Sequence, residues 1–180
     1  MTYTERFGLE GAYITKATAQ LMRDLGCVQS PQSAFLLNLG LESLHVRMER
    51  HCANAQKIAE YLSNHAKIGW VRYPGLPGDA EYERAQKYLP NGSCGVISFG
   101  VKGGKEAAAK FMAGLKIAAI ETHVADARSC CLHPATATHR QMSEEELVAC
   151  GISGDLVRFS VGLENADDLI ADIENALKEV

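Results

Sequence analysis

The sequence lacks the marks of several broad classes. No apolar run approaches the roughly 20 residues needed to cross a bilayer, so no membrane partner is expected. The 18 lysines and arginines are scattered among 22 acidic residues. No basic stripe is visible, so no nucleic-acid partner is expected. The opening stretch MTYTERFGLEGAY does not have the basic-then-apolar layout of a secretory signal. The six cysteines, Cys27, Cys52, Cys94, Cys130, Cys131 and Cys150, contain no C-x-x-C pair and no paired His spacing, which argues against a zinc site or any other metal. They read as free structural thiols of a cytoplasmic protein. Walker loops and dinucleotide fingerprints are also missing; Lys102-Gly-Gly-Lys105 reads as a plain turn.

What is present is a globular composition. The chain has 180 residues, 47% of them hydrophobic and 22% charged, enough for one domain with a proper core. Helical spacing runs from Gly11 to Leu25 and stops at Gly26. Ser30-Pro31 opens a second helical pattern, Ser30 as N-cap and Pro31 at the first position. This pattern continues to about residue 64, with Gly40 as its expected bend. Shorter strand patterns follow at 69–73, 94–101, 116–122 and 129–133, separated by a turn at 74–78 and helices at 79–88 and 105–115. Ser143-Glu-Glu-Glu146 is a capping box, and Asn165–Val180 is an amphipathic helix. About four strands joined by helices imply an α/β (α+β) two-layer arrangement, a sheet covered by helices on one face.

The stretch VRFSVGLE, 157–164, raises the functional question. Val157, Phe159, Val161 and Leu163 alternate with Arg158, Ser160, Gly162 and Glu164, the period of a strand with one apolar face. Arg158 lies in the middle of the other face, flanked by two small residues. Its guanidinium fork matches a carboxylate, either a protein Asp or Glu or a bound ligand. His133 and His139 flank a loop of small polar residues after a strand, where sites commonly sit.

Beyond these local readings, LMRDLGCVQSPQSAFLLNLGLESLHVRMERHCANAQKIAEYL, VRYPGLPGD, AQKYLPNGSCGVISFGVKGG, DARSCCLHPATATHRQMSEEE and LVRFSVGLEN together resemble the cystathionine γ-synthase group of pyridoxal-phosphate enzymes. KYLPNG and KGG favour its O-acetylhomoserine sulfhydrylase branch over the cystathionine-forming and methionine-cleaving relatives. The resemblance implies the small C-terminal domain of the aspartate-aminotransferase fold type, with a mostly antiparallel sheet. Residues 1–30 would be a lead-in helical segment after a large domain, and 31–180 the small domain, its long helix spanning 31–64. It further implies a transferase of methionine biosynthesis that exchanges the acetate of O-acetylhomoserine for sulfide or a thiol. The expected partners are its own large domain and further copies of itself.

By the same resemblance Arg158 would bind the substrate α-carboxylate, with His123 beside it and Ser160, Thr136 and His133 in support. The family has a small polar residue where His123 stands and a glycine where Ala125 stands, so the substrate site departs from its pattern there. No catalytic residue is expected in this chain. The lysine that bonds pyridoxal 5′-phosphate has no counterpart here; Lys16 matches a surface position. The 180 residues alone are therefore expected to bind no cofactor covalently and to be inactive. A stand-alone association module is the alternative expectation.

Overall fold

A computed structural model describes all 180 residues. It contains two compact units, Met1–Ser43 and Leu44–Val180. The first is helical. Helix α1 (Tyr3–Lys16) opens with a capping box between Thr2 and Glu5. A π-helical stretch, Ala17–Met22, and the short α2 (Arg23–Leu25) follow, and Gly26 ends the run with a left-handed φ of 69°. Helix α3 (Pro31–Glu42) starts as its sequence dictates: the Ser30 hydroxyl accepts from Ser33 N–H at 3.1 Å, and Pro31 occupies the first turn. The helical run over 31–64 is interrupted at Ser43 (φ −105°, ψ 4°), not at Gly40. Phe35, Leu36, Leu37, Leu39 and Leu41 are exposed.

The second unit begins with α4 (Leu44–Ser63) and continues with β1 (Ile68–Arg72), α5 (Tyr82–Tyr88), β2 (Val96–Val101), α6 (Gly104–Gly114), β3 (Ala119–Ile120), β4 (Cys130–Leu132), α7 (Glu144–Ala149), β5 (Leu156–Ser160) and α8 (Ala166–Lys178). The sheet has five strands, not about four, in the order β1-β2-β5-β4-β3. It is mixed: β1–β2, β2–β5 and β5–β4 are antiparallel, while β3 joins β4 in parallel. The fifth strand is the two-residue β3, much shorter than its apolar sequence suggested.

One face of the sheet carries Ile97, Phe99 and Val101 from β2 and Val157 and Phe159 from β5, all buried with residues of α4, α6 and α8. Alternation along β2 and β5 puts these side chains on the same face. Phe99 meets Phe111 of α6 edge to face at 5.7 Å. Burying such a side chain fully is worth about 1.5–3 kcal/mol. Gly114 permits the close approach of α6 and α8, since a Cβ there would lie 3.0 Å from Ala176 Cα. Asp172 of α8 then accepts backbone N–H groups from Lys116 (2.9 Å) and Ile117 (2.9 Å), satisfying donors beyond the end of α6.

The strand read over 157–164 ends at Ser160. Val161 N–H still donates to Gly95 O (2.7 Å), but Leu163 N–H donates to Ala127 O (2.8 Å) in a loop. From α4, the buried His51 ring pairs with Val161 O (2.6 Å) and Asn54 donates to Gly162 O (3.0 Å). A carbonyl can only accept, so His51 carries its proton on Nδ1.

Candidate functional site

Arg158 occupies the centre of β5, opposite Ser98 of β2 and Leu132 of β4, on the face away from the helices. It forms no ion pair with any Asp or Glu. Instead its Nη2 donates to two backbone carbonyls, Thr122 O at 2.9 Å and His123 O at 3.3 Å. Its Nε is buried and has no partner. A buried donor left unpaired is costly, and a bound anionic oxygen would satisfy this one. The guanidinium is thus aimed by Nη2 and unpaired at Nε, and its fork matches a carboxylate.

The loop 121–129 surrounds it. His123 meets Arg158 through its carbonyl rather than its ring. The ring is exposed, with Nδ1 3.0 Å from Glu121 Oε2 and 3.9 Å from Asp126 Oδ2. Hydrogen bonds from the Arg128 backbone and side chain hold the Asp126 carboxyl below the usual carboxylate range. Cys130 Sγ donates to His123 O at 3.1 Å, and burial pushes its thiol up. Ser160 is buried, and its hydroxyl accepts the Ala125 N–H at 3.1 Å. Ala125 is the one residue other than glycine with a positive φ, 62°. Position 125, where the resemblance implies a glycine, therefore has a backbone conformation that favours one.

Arg158, His123 and Ser160 come together around this loop. His133 and Thr136 form a separate pair, with no hydrogen bond to that group. His133 is buried; its Nε2 donates to Gly154 O (2.9 Å), so its Nδ1 accepts from Thr136 Oγ1 (2.9 Å). Sequence reasoning passed over two further groups. Glu164 brackets Ser129, and the carbonyls of Thr122 and His123 orient Arg158. The spacing R-x-S-V-G-x-E contained Glu164, but no local pattern pointed to Ser129, 35 residues away.

A family model described as Cys/Met metabolism PLP-dependent enzyme matches residues 9–178. The chain is 45% identical over 174 residues to an O-acetyl-L-homoserine sulfhydrylase of Leptospira meyeri, covering 96% of this chain and 39% of that protein. It is 44% identical over 178 residues to a homocysteine synthase of Schizosaccharomyces pombe, covering 99% of this chain and 41% of the relative. Among solved structures, a Campylobacter jejuni protein assigned as an O-acetylhomoserine (thiol)-lyase superposes with a TM-score of 0.85 at 40% identity, over 93% of this chain and 39% of that one. That structure carries N′-pyridoxyl-lysine-5′-monophosphate. The chain therefore spans about two fifths of the length of the relatives it matches.

The lysines of this chain do not fit covalent attachment of that cofactor. A Schiff-base lysine is activated by desolvation or a neighbouring cation, yet every lysine here is exposed except Lys67. Lys67 is committed to the carbonyls of Leu177 (2.7 Å) and Val180 (2.9 Å).

Proposed function

The chain belongs to the Cys/Met metabolism PLP-dependent enzyme family, and from that premise we propose that it is the C-terminal, substrate-orienting part of an O-acetylhomoserine sulfhydrylase. The parent reaction is a γ-replacement: the acetate of O-acetylhomoserine leaves, and sulfide or a thiol takes its place to give homocysteine or methionine. Pyridoxal phosphate, bound by residues outside these 180, supplies the electron sink for that chemistry.

This chain's own part is binding and orientation. Arg158 holds the α-carboxylate, and the carbonyls of Thr122 and His123 fix the plane of its guanidinium. A carboxylate pinned in this way directs the rest of the substrate toward the cofactor-bearing part. The exposed His123 ring, tethered to Glu121, would stand beside the bound amino acid. Ser160 holds the loop through Ala125. The observation that supports this reading is the buried, unpaired Nε of Arg158 in a guanidinium already oriented through Nη2.

The test is Arg158→Ala in the enzyme containing this chain together with its cofactor-bearing part. KM for O-acetylhomoserine should rise on the order of tenfold or more, the usual weight of a charge-assisted pair. An unchanged KM with a lowered melting temperature would reduce Arg158 to a structural residue.

The exposed apolar side chains of α3 favour association as well, with the large domain or with another copy. Light scattering of the purified chain separates a monomer from an oligomer.

A further inference from the structure

The charged residue of R-x-S-V-G-x-E that lies farthest from Arg158 in the motif has no role in the reading above. Glu164 lies past the end of β5, where α4 holds its backbone: Asn54 donates to Glu164 O at 2.8 Å and Arg50 at 3.3 Å. Its side chain reaches the other way. One carboxylate oxygen accepts the Ser129 N–H at 2.6 Å and the other accepts the Ser129 hydroxyl at 2.9 Å. The Ser129 hydroxyl in turn accepts the Gly162 N–H at 2.8 Å. Ser129 is fully buried. An ionised carboxylate is an acceptor at both oxygens, and hydrogen bonds to it are the strong, charge-assisted kind.

The bracket closes one end of the loop that grips Arg158. Ser129 is the last residue before β4, and the loop behind it runs through Ala127, Ala125, His123 and Thr122. Leu163 N–H is bonded to Ala127 O, and Ser160 Oγ to Ala125 N–H. The loop is thus fastened along the β5 extension at three levels, and only Glu164 contributes a charge. Its far end supplies the two carbonyls on Arg158 Nη2. Gly162 makes the arrangement sterically possible: a Cβ there would collide with the Glu164 carboxylate and lie 2.6 Å from Ala127 O.

We infer that Glu164 is a positioning residue for Arg158. Through Ser129 it locks loop 121–129 in the register that orients the guanidinium, and so sets the affinity for a carboxylate ligand without touching it. The inference rests on the reading of Arg158 as the carboxylate-binding residue.

The experiment is a nuclear magnetic resonance titration of the 15N-labelled 180-residue chain with O-acetyl-L-homoserine, following the Arg158 Nε–H signal, alongside amide hydrogen exchange. In the wild type the Nε–H signal should move saturably. Glu164→Ala should weaken the apparent affinity on the order of tenfold. It should also speed exchange at Ser129, Gly162 and Leu163 while leaving the β2–β5 amides at Phe99 and Val157 protected. Glu164→Gln keeps one acceptor for the Ser129 N–H and should recover affinity to within a factor of about three. Wild-type affinity in Glu164→Ala would overturn the positioning role. If Glu164→Ala fails to fold, Ser129→Ala, which removes the hydroxyl between Glu164 and Gly162, decides instead: wild-type affinity together with wild-type exchange at Gly162 overturns the bracket. A wild-type chain that shows no Nε–H shift refutes the Arg158 reading instead, and the exchange rates still judge the bracket.

Discussion

Ala125→Gly should stabilise the chain. Ala125 has a φ of 62°, in the region where an L side chain brings Cβ against the following carbonyl. That conformation costs roughly 1–2 kcal/mol for a residue with a Cβ and almost nothing for glycine. Glycine returns part of the gain because it makes the unfolded chain freer, by about 0.4–1 kcal/mol. Ala125 is exposed, so removing its methyl forfeits little burial, and its N–H keeps the bond to Ser160 Oγ. The net expectation is a gain of about 0.5–1 kcal/mol, or about 1–4 °C in melting temperature for a chain of this size. Urea unfolding by circular dichroism measures it, with Ala125→Val as the opposing control, since a β-branched residue is worse still at positive φ. A midpoint lowered in Ala125→Gly at an unchanged slope would refute the reasoning and mean that the left-handed turn is not maintained in solution.

Three further outcomes follow from the structure. Asp172→Ala should cost about 2–3 kcal/mol in the same urea assay, because it strands the Lys116 and Ile117 N–H groups beside α8. The thiols should divide by burial: a thiol reagent at pH 8 should modify the exposed Cys27 and Cys150 at once, and Cys130 and Cys131 only on unfolding. Burial, with Cys130 and Asp172 close by, pushes the Cys131 thiol from 9.0 up to about 12. A group raised in the folded state keeps its contribution below its unfolded value and loses it as pH climbs through the folded one. Stability should therefore fall between about pH 9 and pH 12, and less steeply in Cys131→Ala once its own packing loss is subtracted.

Much of the fold was legible because its signals are local. The Ser143–Glu146 capping box, the Ser30-Pro31 start and the Gly26 stop each act within one turn. The alternation through Val157, Phe159 and Val161 reported a buried face correctly, one residue past the strand's end at Ser160. Beyond Ser160 the alternation continues in sequence while the backbone bonds change partners, and periodicity does not register that. The interruption at Ser43 was hidden for a related reason, since serine is only mildly unfavourable in a helix. The alternation singles out Arg158, but its partners are backbone carbonyls, which carry no residue identity. The Glu164–Ser129 bracket and the Asp172 contacts join residues 35 to 56 positions apart. Such contacts appear only once the sheet order β2-β5-β4 brings those segments side by side.

We propose a division of labour: this chain orients a carboxylate and holds no lysine for the cofactor. The most direct measurement is to incubate the purified 180 residues with pyridoxal phosphate, reduce with borohydride and read the intact mass. The account expects no stoichiometric adduct, only scattered partial labelling of exposed lysines. A single adduct at full occupancy on one lysine would contradict it and place a cofactor site within this chain.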